Sequence, residues 1–125
     1  MTPDQLKAAC LALNGAVEEF PFGRHPAVST FKVGGKIFAL SALPERPLTV
    51  SLKCDPDLAV RLRAAHEAIV GGYHLNKRHW NTVTLDGSVP DRLVLELIED
   101  SYDLIVAALP RSQRLALDWP GNRTP

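Results

Sequence analysis

A two-layer α+β domain, with an antiparallel sheet covered by helices on one face only, is the fold this sequence predicts. Three observations lead there. Segments with helix-start signals bracket a run of short β segments. One of these, Leu48 to Lys53, alternates apolar Leu48, Val50 and Leu52 with polar Thr49, Ser51 and Lys53, the pattern of a strand with one dry and one wet face. The chain has 125 residues, 46% apolar and 22% charged, enough for one domain with a substantial core and without an internal repeat or linker. The expected order is α-β-β-β-α-β-α, in a single domain over residues 1–117 followed by a flexible C-terminal tail at 118–125.

The first helix opens at Thr2-Pro3-Asp4-Gln5, with Thr2 as N-cap, Pro3 in the first turn and Gln5 completing a capping box. Leu6, Cys10 and Leu13 form its apolar face, and Asn14-Gly15 supplies a left-handed stop. Strands follow at Val28 to Val33, Lys36 to Ala42 and Leu48 to Lys53, the first two joined by Gly34-Gly35, a two-residue linker suited to a primed hairpin turn. Asp55-Pro56 starts a second helix, with Leu58, Leu62, Ala65 and Ile69 on one side, expected to end before Gly71-Gly72. Tyr73 to Arg78 reads as a polar connector and His79 to Leu85 as a strand, with Trp80, Thr82 and Thr84 facing one way and Asn81, Val83 and Leu85 the other. Asp86-Gly87 turns the chain. A long last helix, capped within Ser88 to Asp91, runs to about Leu109-Pro110, with Val94, Ile98, Ile105 and Leu109 as core candidates.

Fourteen basic and fourteen acidic residues cancel, which removes the argument from total charge for a nucleic-acid or membrane-surface binder. The charge is nevertheless uneven. Phe20 to Trp80 carries a local excess of five positive charges, whereas Asn81 to Pro110 carries an excess of five negative ones, with Glu96, Glu99, Asp100 and Asp103 at helical spacing. A basic sheet side and an acidic helix side are expected, and lysines on a sheet also serve simply to discourage edge pairing. No membrane-length apolar run and no secretory leader pattern is visible, so a cytoplasmic protein with Cys10 and Cys54 as reduced core thiols is expected.

The densest group of functional side chains is Tyr73-His74-Leu75-Asn76-Lys77-Arg78-His79-Trp80-Asn81. Two imidazoles, two cations, two amides and two aromatics within nine residues offer stacking surfaces and hydrogen-bonding groups, as nucleic-acid and small-ligand sites require. The competing reading makes Tyr73 and Trp80 core anchors and leaves the polar groups to bond the loop itself. His74 and His79 match no standard metal-ligand spacing, and the acidic stripe is explained as a solvated helix face, so no metal and no cofactor is expected. Ser29-Thr30-Phe31-Lys32 fits a Ser-x-x-Lys string only by chance, lying in a strand without the partner motifs of that class. No phosphate-binding loop, nucleophile elbow or acid-base carboxylate pair can be singled out.

The string from Tyr73 through Trp80-Asn81-Thr82-Val83, with Asp86-Gly87-Ser88-Val89-Pro90 and Ser101-Tyr102-Asp103-Leu104-Ile105, strongly resembles the MmcQ/YjbR family of small bacterial proteins. Phe20-Pro21-Phe22-Gly23 and Val33-Gly34-Gly35-Lys36-Ile37-Phe38 resemble its other recurrent segments, so the likeness spans about Leu6 to Leu117. The resemblance implies a fold likened to frataxin (CyaY) and to secretion chaperones, and a label of DNA-binding protein through a "double wing" of strands. It brings no catalytic residues, and the first helix lacks the acids with which frataxins hold iron. The expected function is therefore non-enzymatic DNA binding or regulation by a monomer, with Lys32, Lys36, Lys53, Lys77 and Arg78 toward phosphates, His74, Asn76, His79, Trp80 and Asn81 approaching the DNA, and Arg24 as a further binding candidate. The alternative is a module binding a small ligand or protein partner through His74 to Asn81, in a pocket between the His79-Trp80 strand and the final helix.

Overall fold

The computed structural model describes residues 1–123. Its helices are α1 (Pro3–Leu11), α2 (Pro56–Ala65), α3 (Asp91–Ala107) and α4 (Arg111–Ala116). Its strands are β1 (Val17–Glu19), β2 (Val28–Val33), β3 (Lys36–Ala42), β4 (Thr49–Lys53), β5 (Ile69–Gly71) and β6 (Trp80–Thr84). The strands form one sheet in the order β1-β2-β3-β4-β6-β5, with every pairing antiparallel. Helix α3 lies across β2, β3 and β4, α2 covers β5 and β6, and α1 packs beside α3. The expected two-layer α+β architecture is what forms.

Local chemistry explains the elements that follow expectation. Both halves of the capping box are made at α1: Thr2 Oγ1 accepts from Gln5 N at 3.1 Å and Gln5 Oε1 accepts from Thr2 N at 2.9 Å. Leu6 and Cys10 are wholly buried beneath it. The β2–β3 turn has Gly34 at φ 58° and Gly35 at φ 78°, the pair of positive values that a primed turn demands. In β4, Val50 and Leu52 are buried, while Thr49, Ser51 and Lys53 stay half-exposed on the uncovered face.

Three expectations are corrected. Helix α2 stops at Ala65 with His66 already extended, so Ile69 belongs to an edge strand and not to the helix. Ile69 and Val70 are β-branched, which suits the extended chain, and β6 offers their backbone groups ladder partners there. A further edge strand, β1, precedes the expected sheet and pairs with β2. The α3 N-cap is Pro90, which makes no side-chain cap, because Ser88 instead donates its N–H and hydroxyl to Asp86 Oδ1. In the described part of the expected tail at 118–125, Asn14 Nδ2 donates to the Asp118 carbonyl at 2.7 Å, and Trp119 Nε1 donates to Asp103 Oδ1 at 2.9 Å. Residues 124 and 125 of that tail lie outside the described residues.

The core holds Phe31, Val33, Phe38, Val50, Leu52 and Val83 from the sheet against Val94, Ile98, Tyr102, Ile105 and Val106 from α3. Cys10 and Cys54 are buried free thiols. Burial, with Glu18 nearby, pushes the Cys10 thiol up to about 12, and burial followed by Asp55 and Asp100 raises that of Cys54, so both are kept neutral. No described helix is long and apolar enough to cross a membrane.

Candidate functional site

Sheet register decides which candidate residues share a face. Because β4 and β6 pair Lys53 with Trp80, Ser51 with Thr82 and Thr49 with Thr84, these side chains point together to the open face. Leu52 with Asn81 and Val50 with Val83 point to the core. The expected division of the Trp80–Thr84 strand is therefore correct. Ser51 Oγ and Thr82 Oγ1 share a hydrogen bond of 2.8 Å, and Thr82 Oγ1 also accepts from Tyr73 N at 3.2 Å. That second bond ties the connector to the rim of the open face.

Much of the connector is occupied in holding itself. Lys77 Nζ donates to the Gly72 carbonyl at 3.0 Å, and Asn76 Oδ1 accepts from Arg78 N at 2.9 Å. Buried Asn81 accepts at Oδ1 from Arg63 Nη1 at 2.8 Å, and the same guanidinium nitrogen donates to the Lys77 carbonyl at 3.0 Å. Arg63, on α2, thus clamps both ends of the segment. Sequence reasoning missed it, since only its half-buried place on the helix separates it from the exposed Arg61.

What remains outward is Tyr73, His74 and Arg78, with His79 and Trp80 half-exposed. Tyr73 is 74% exposed, so the core-anchor reading fails for it. Its ring centroid lies 4.0 Å from that of His74, the planes tilted by 54°. His74 has φ 57°, a left-handed backbone that a residue with a Cβ adopts only where its surroundings impose it.

The basic residues divide. Lys36 begins β3 and therefore lies at the same end of the sheet as Lys53, where β4 finishes, and Trp80, where β6 begins. Lys32 shares the open face, but its Nζ is 2.7 Å from Glu19 Oε2 and its charge is locally cancelled. Arg24 lies in the loop between β1 and β2, at the far end of the sheet, about 15 Å away along the strands. The structure thus gathers Lys53, Arg78 and Trp80, whereas Lys36, at the same end but opposite buried Val33, points to the helix side, and Arg24 is left out. Acidic Glu96, Glu99, Asp100 and Asp103 are exposed on α3 in the other layer, as expected. Burial there, then Asp103 and Glu96, raises the Asp100 carboxyl above its ordinary value.

The expected ligand pocket between the Trp80 strand and the final helix is closed. Leu52, Cys54, Leu62, Asn81, Val83 and Leu97 fill that space, leaving about 10 Å³. Such a gap holds one water at most. A larger open cleft of about 470 Å³ lies at the other end of the sheet, lined by His66, Glu67, Thr84, Asp86 and Ser88, away from the connector. Among the described residues no group of three or more His, Cys, Asp or Glu side chains is placed to hold a metal ion.

Comparison with known proteins places this geometry among relatives. Residues 11–104 match the YjbR family model. The chain is 38% identical over 117 residues to the uncharacterised protein YjbR of Escherichia coli (strain K12), covering 94% of this chain and 98% of that one. It is 37% identical over 92 residues to the uncharacterised protein YbdF of Escherichia coli O157:H7, covering 74% of each. The crystal structure of Deinococcus radiodurans protein DR2400, of domain family DUF419, superposes with a TM-score of 0.88 at 42% identity, over 95% of this chain and 89% of that one. A crystal structure of a Pseudomonas syringae protein superposes with a TM-score of 0.72 at 29% identity, over 83% and 98% of the respective chains. The family match across most of the chain, the near full-length relative and the shared fold together establish that this protein belongs to the YjbR family.

Proposed function

We propose that this chain is a non-enzymatic binding protein that takes DNA on the open side of its sheet, at the end where β4 finishes and β6 begins. The observation that carries the reading is the pairing of Lys53 with Trp80 on the uncovered face, with the cation Arg78 at the same end. The acidic stripe sits on α3 across the core, so the field on the sheet side is left positive. Five cations were expected to reach phosphates, but Lys32 is ion-paired, Lys77 bonds backbone and Lys36, opposite buried Val33, points to the helix side, which leaves Lys53 and Arg78 for that task.

Replacing Lys53 and Arg78 together by alanine should weaken binding to any DNA sequence by about tenfold or more at low salt and reduce the salt slope by roughly two. Fluorescence anisotropy with a labelled duplex across a salt series measures both quantities. Unchanged affinity and slope would sink the reading. A protein partner is the second reading, favoured by the aliphatic and hydroxyl side chains of Leu40, Thr49, Ser51, Thr82 and Val70 on the same face. The closed gap beside α3 disfavours a small molecule there.

A further inference from the structure

The shape of the proposed surface discriminates between paired and unpaired nucleic acid. Six strands at a spacing of about 4.8 Å give a face roughly 24 Å across, whereas the B-DNA major groove is about 12 Å wide and admits a helix or a two-stranded ribbon. The open face is therefore too broad to reach base edges within a duplex. An extended single strand laid across it meets no such obstacle.

The side chains at the rim are of the kind that unpaired bases recognise. Tyr73 presents most of its ring to solvent, beside His74. The position is held rather than floppy: Tyr73 N bonds Thr82 Oγ1, Leu75 N bonds the Gly72 carbonyl, and His74 sits at φ 57° between them. Trp80 lies half-exposed on the face itself, paired in register with Lys53. Base planes in a duplex are covered by their neighbours, so rings of this kind gain stacking energy only from a base that is free of its partner. Exposed Arg78 and half-exposed Lys53 put cations at the same end of the sheet as the rings, as tracking of a phosphate backbone requires.

From this we infer that the surface selects single-stranded nucleic acid, with an unpaired base stacked on Tyr73 and the flanking phosphates met by Lys53 and Arg78. The inference rests on the DNA-binding reading above and narrows it. A short fluorescein-labelled oligothymidylate and a duplex of equal length are titrated against the whole protein at the same ionic strength. The single strand binds more tightly, by about tenfold, and Tyr73→Ala removes that advantage while leaving duplex affinity unchanged. Tyr73→Phe, which keeps the ring, restores single-strand affinity. The Tyr73 side chain is exposed and makes no hydrogen bond within the described residues, so both variants fold. Equal affinity for strand and duplex, with Tyr73→Ala silent, overturns the selection of single strands and leaves the electrostatic reading intact. Absence of binding to either probe overturns both.

Discussion

Ser101 does more for the sheet than its size suggests. In β3, Phe31 pairs with Ala39 and Lys32 with Ile37, so Phe38 is an extra residue, a bulge that turns its ring into the core against Tyr102. The ring centroids are 5.5 Å apart and the planes 88° to one another. Beyond the paired Ala39 and Leu52, the Phe38 carbonyl and Lys53 N are the next backbone groups of β3 and β4. Ser101 reaches down from α3 and satisfies both, donating its hydroxyl to the Phe38 carbonyl at 2.6 Å and accepting from Lys53 N at 2.9 Å. Ser101→Ala should cost about 2–4 kcal/mol in urea unfolding, because two backbone groups in the interior are left unsatisfied. The Ser101-Tyr102-Asp103 string, which helped to carry the family resemblance, is explained in the same way. Tyr102 Oη donates to the Asn14 carbonyl at 2.6 Å, and Asp103 takes the Trp119 indole. These residues serve the fold, and the connector residues Asn81 and Lys77 do too. Nothing in a single sequence separates them from Tyr73 or Arg78, since the distinction lies in which groups find partners far along the chain.

Among the elements, those whose signals are local were legible. The capping box of α1 and the Gly34-Gly35 turn are each decided within a few residues, and both form as expected. The edge strands β1 and β5 have three residues each, too few for a period to show, and exist because a longer neighbour offers them hydrogen bonds. The end of α2 was misplaced for the same reason: Gly71-Gly72 is a real stop signal, but a non-local strand pairing takes the chain first. The hairpin makes a further test. A Cβ at Gly34 would lie 2.8 Å from both methyl groups of Leu109, whereas one at Gly35 meets open space. Gly34→Ala should therefore destabilise by about 2–3 kcal/mol and Gly35→Ala by only about 1 kcal/mol, the difference measuring how tightly the hairpin tip is packed beneath Leu109. Thermal unfolding of the two variants side by side checks it.

For the molecule as a whole, the separation of charge was legible in outline and not in detail. The acidic stripe forms on α3 as its spacing predicts, while the basic candidates scatter once chain topology sends Arg24 to the far end and gives Lys32 a partner. Crowding within the stripe has a measurable consequence. Burial and the neighbouring Asp103 and Glu96 raise the Asp100 carboxyl above its ordinary 3.8, so folding favours its protonated form. The ionised form costs stability once pH rises from below 3.8 through the raised folded value. Asp100→Asn should then stabilise the protein at neutral pH by a few tenths of a kcal/mol after solvent screening, a gain that vanishes below that range. Urea titrations of both proteins at neutral and acid pH give the comparison.

The open sheet face, at the end carrying Lys53 and Trp80, is the proposed working surface. Amide NMR of the labelled protein during addition of a short DNA strand tests it most directly, at low salt and again near physiological salt. Shifts are expected at Lys53, Tyr73, His74, Arg78 and Trp80 that shrink as salt rises, with α3 and the Arg24 loop unmoved. Shifts centred on the Arg24 loop or on the cleft around His66 and Asp86, or a flat response at both salts, would contradict it.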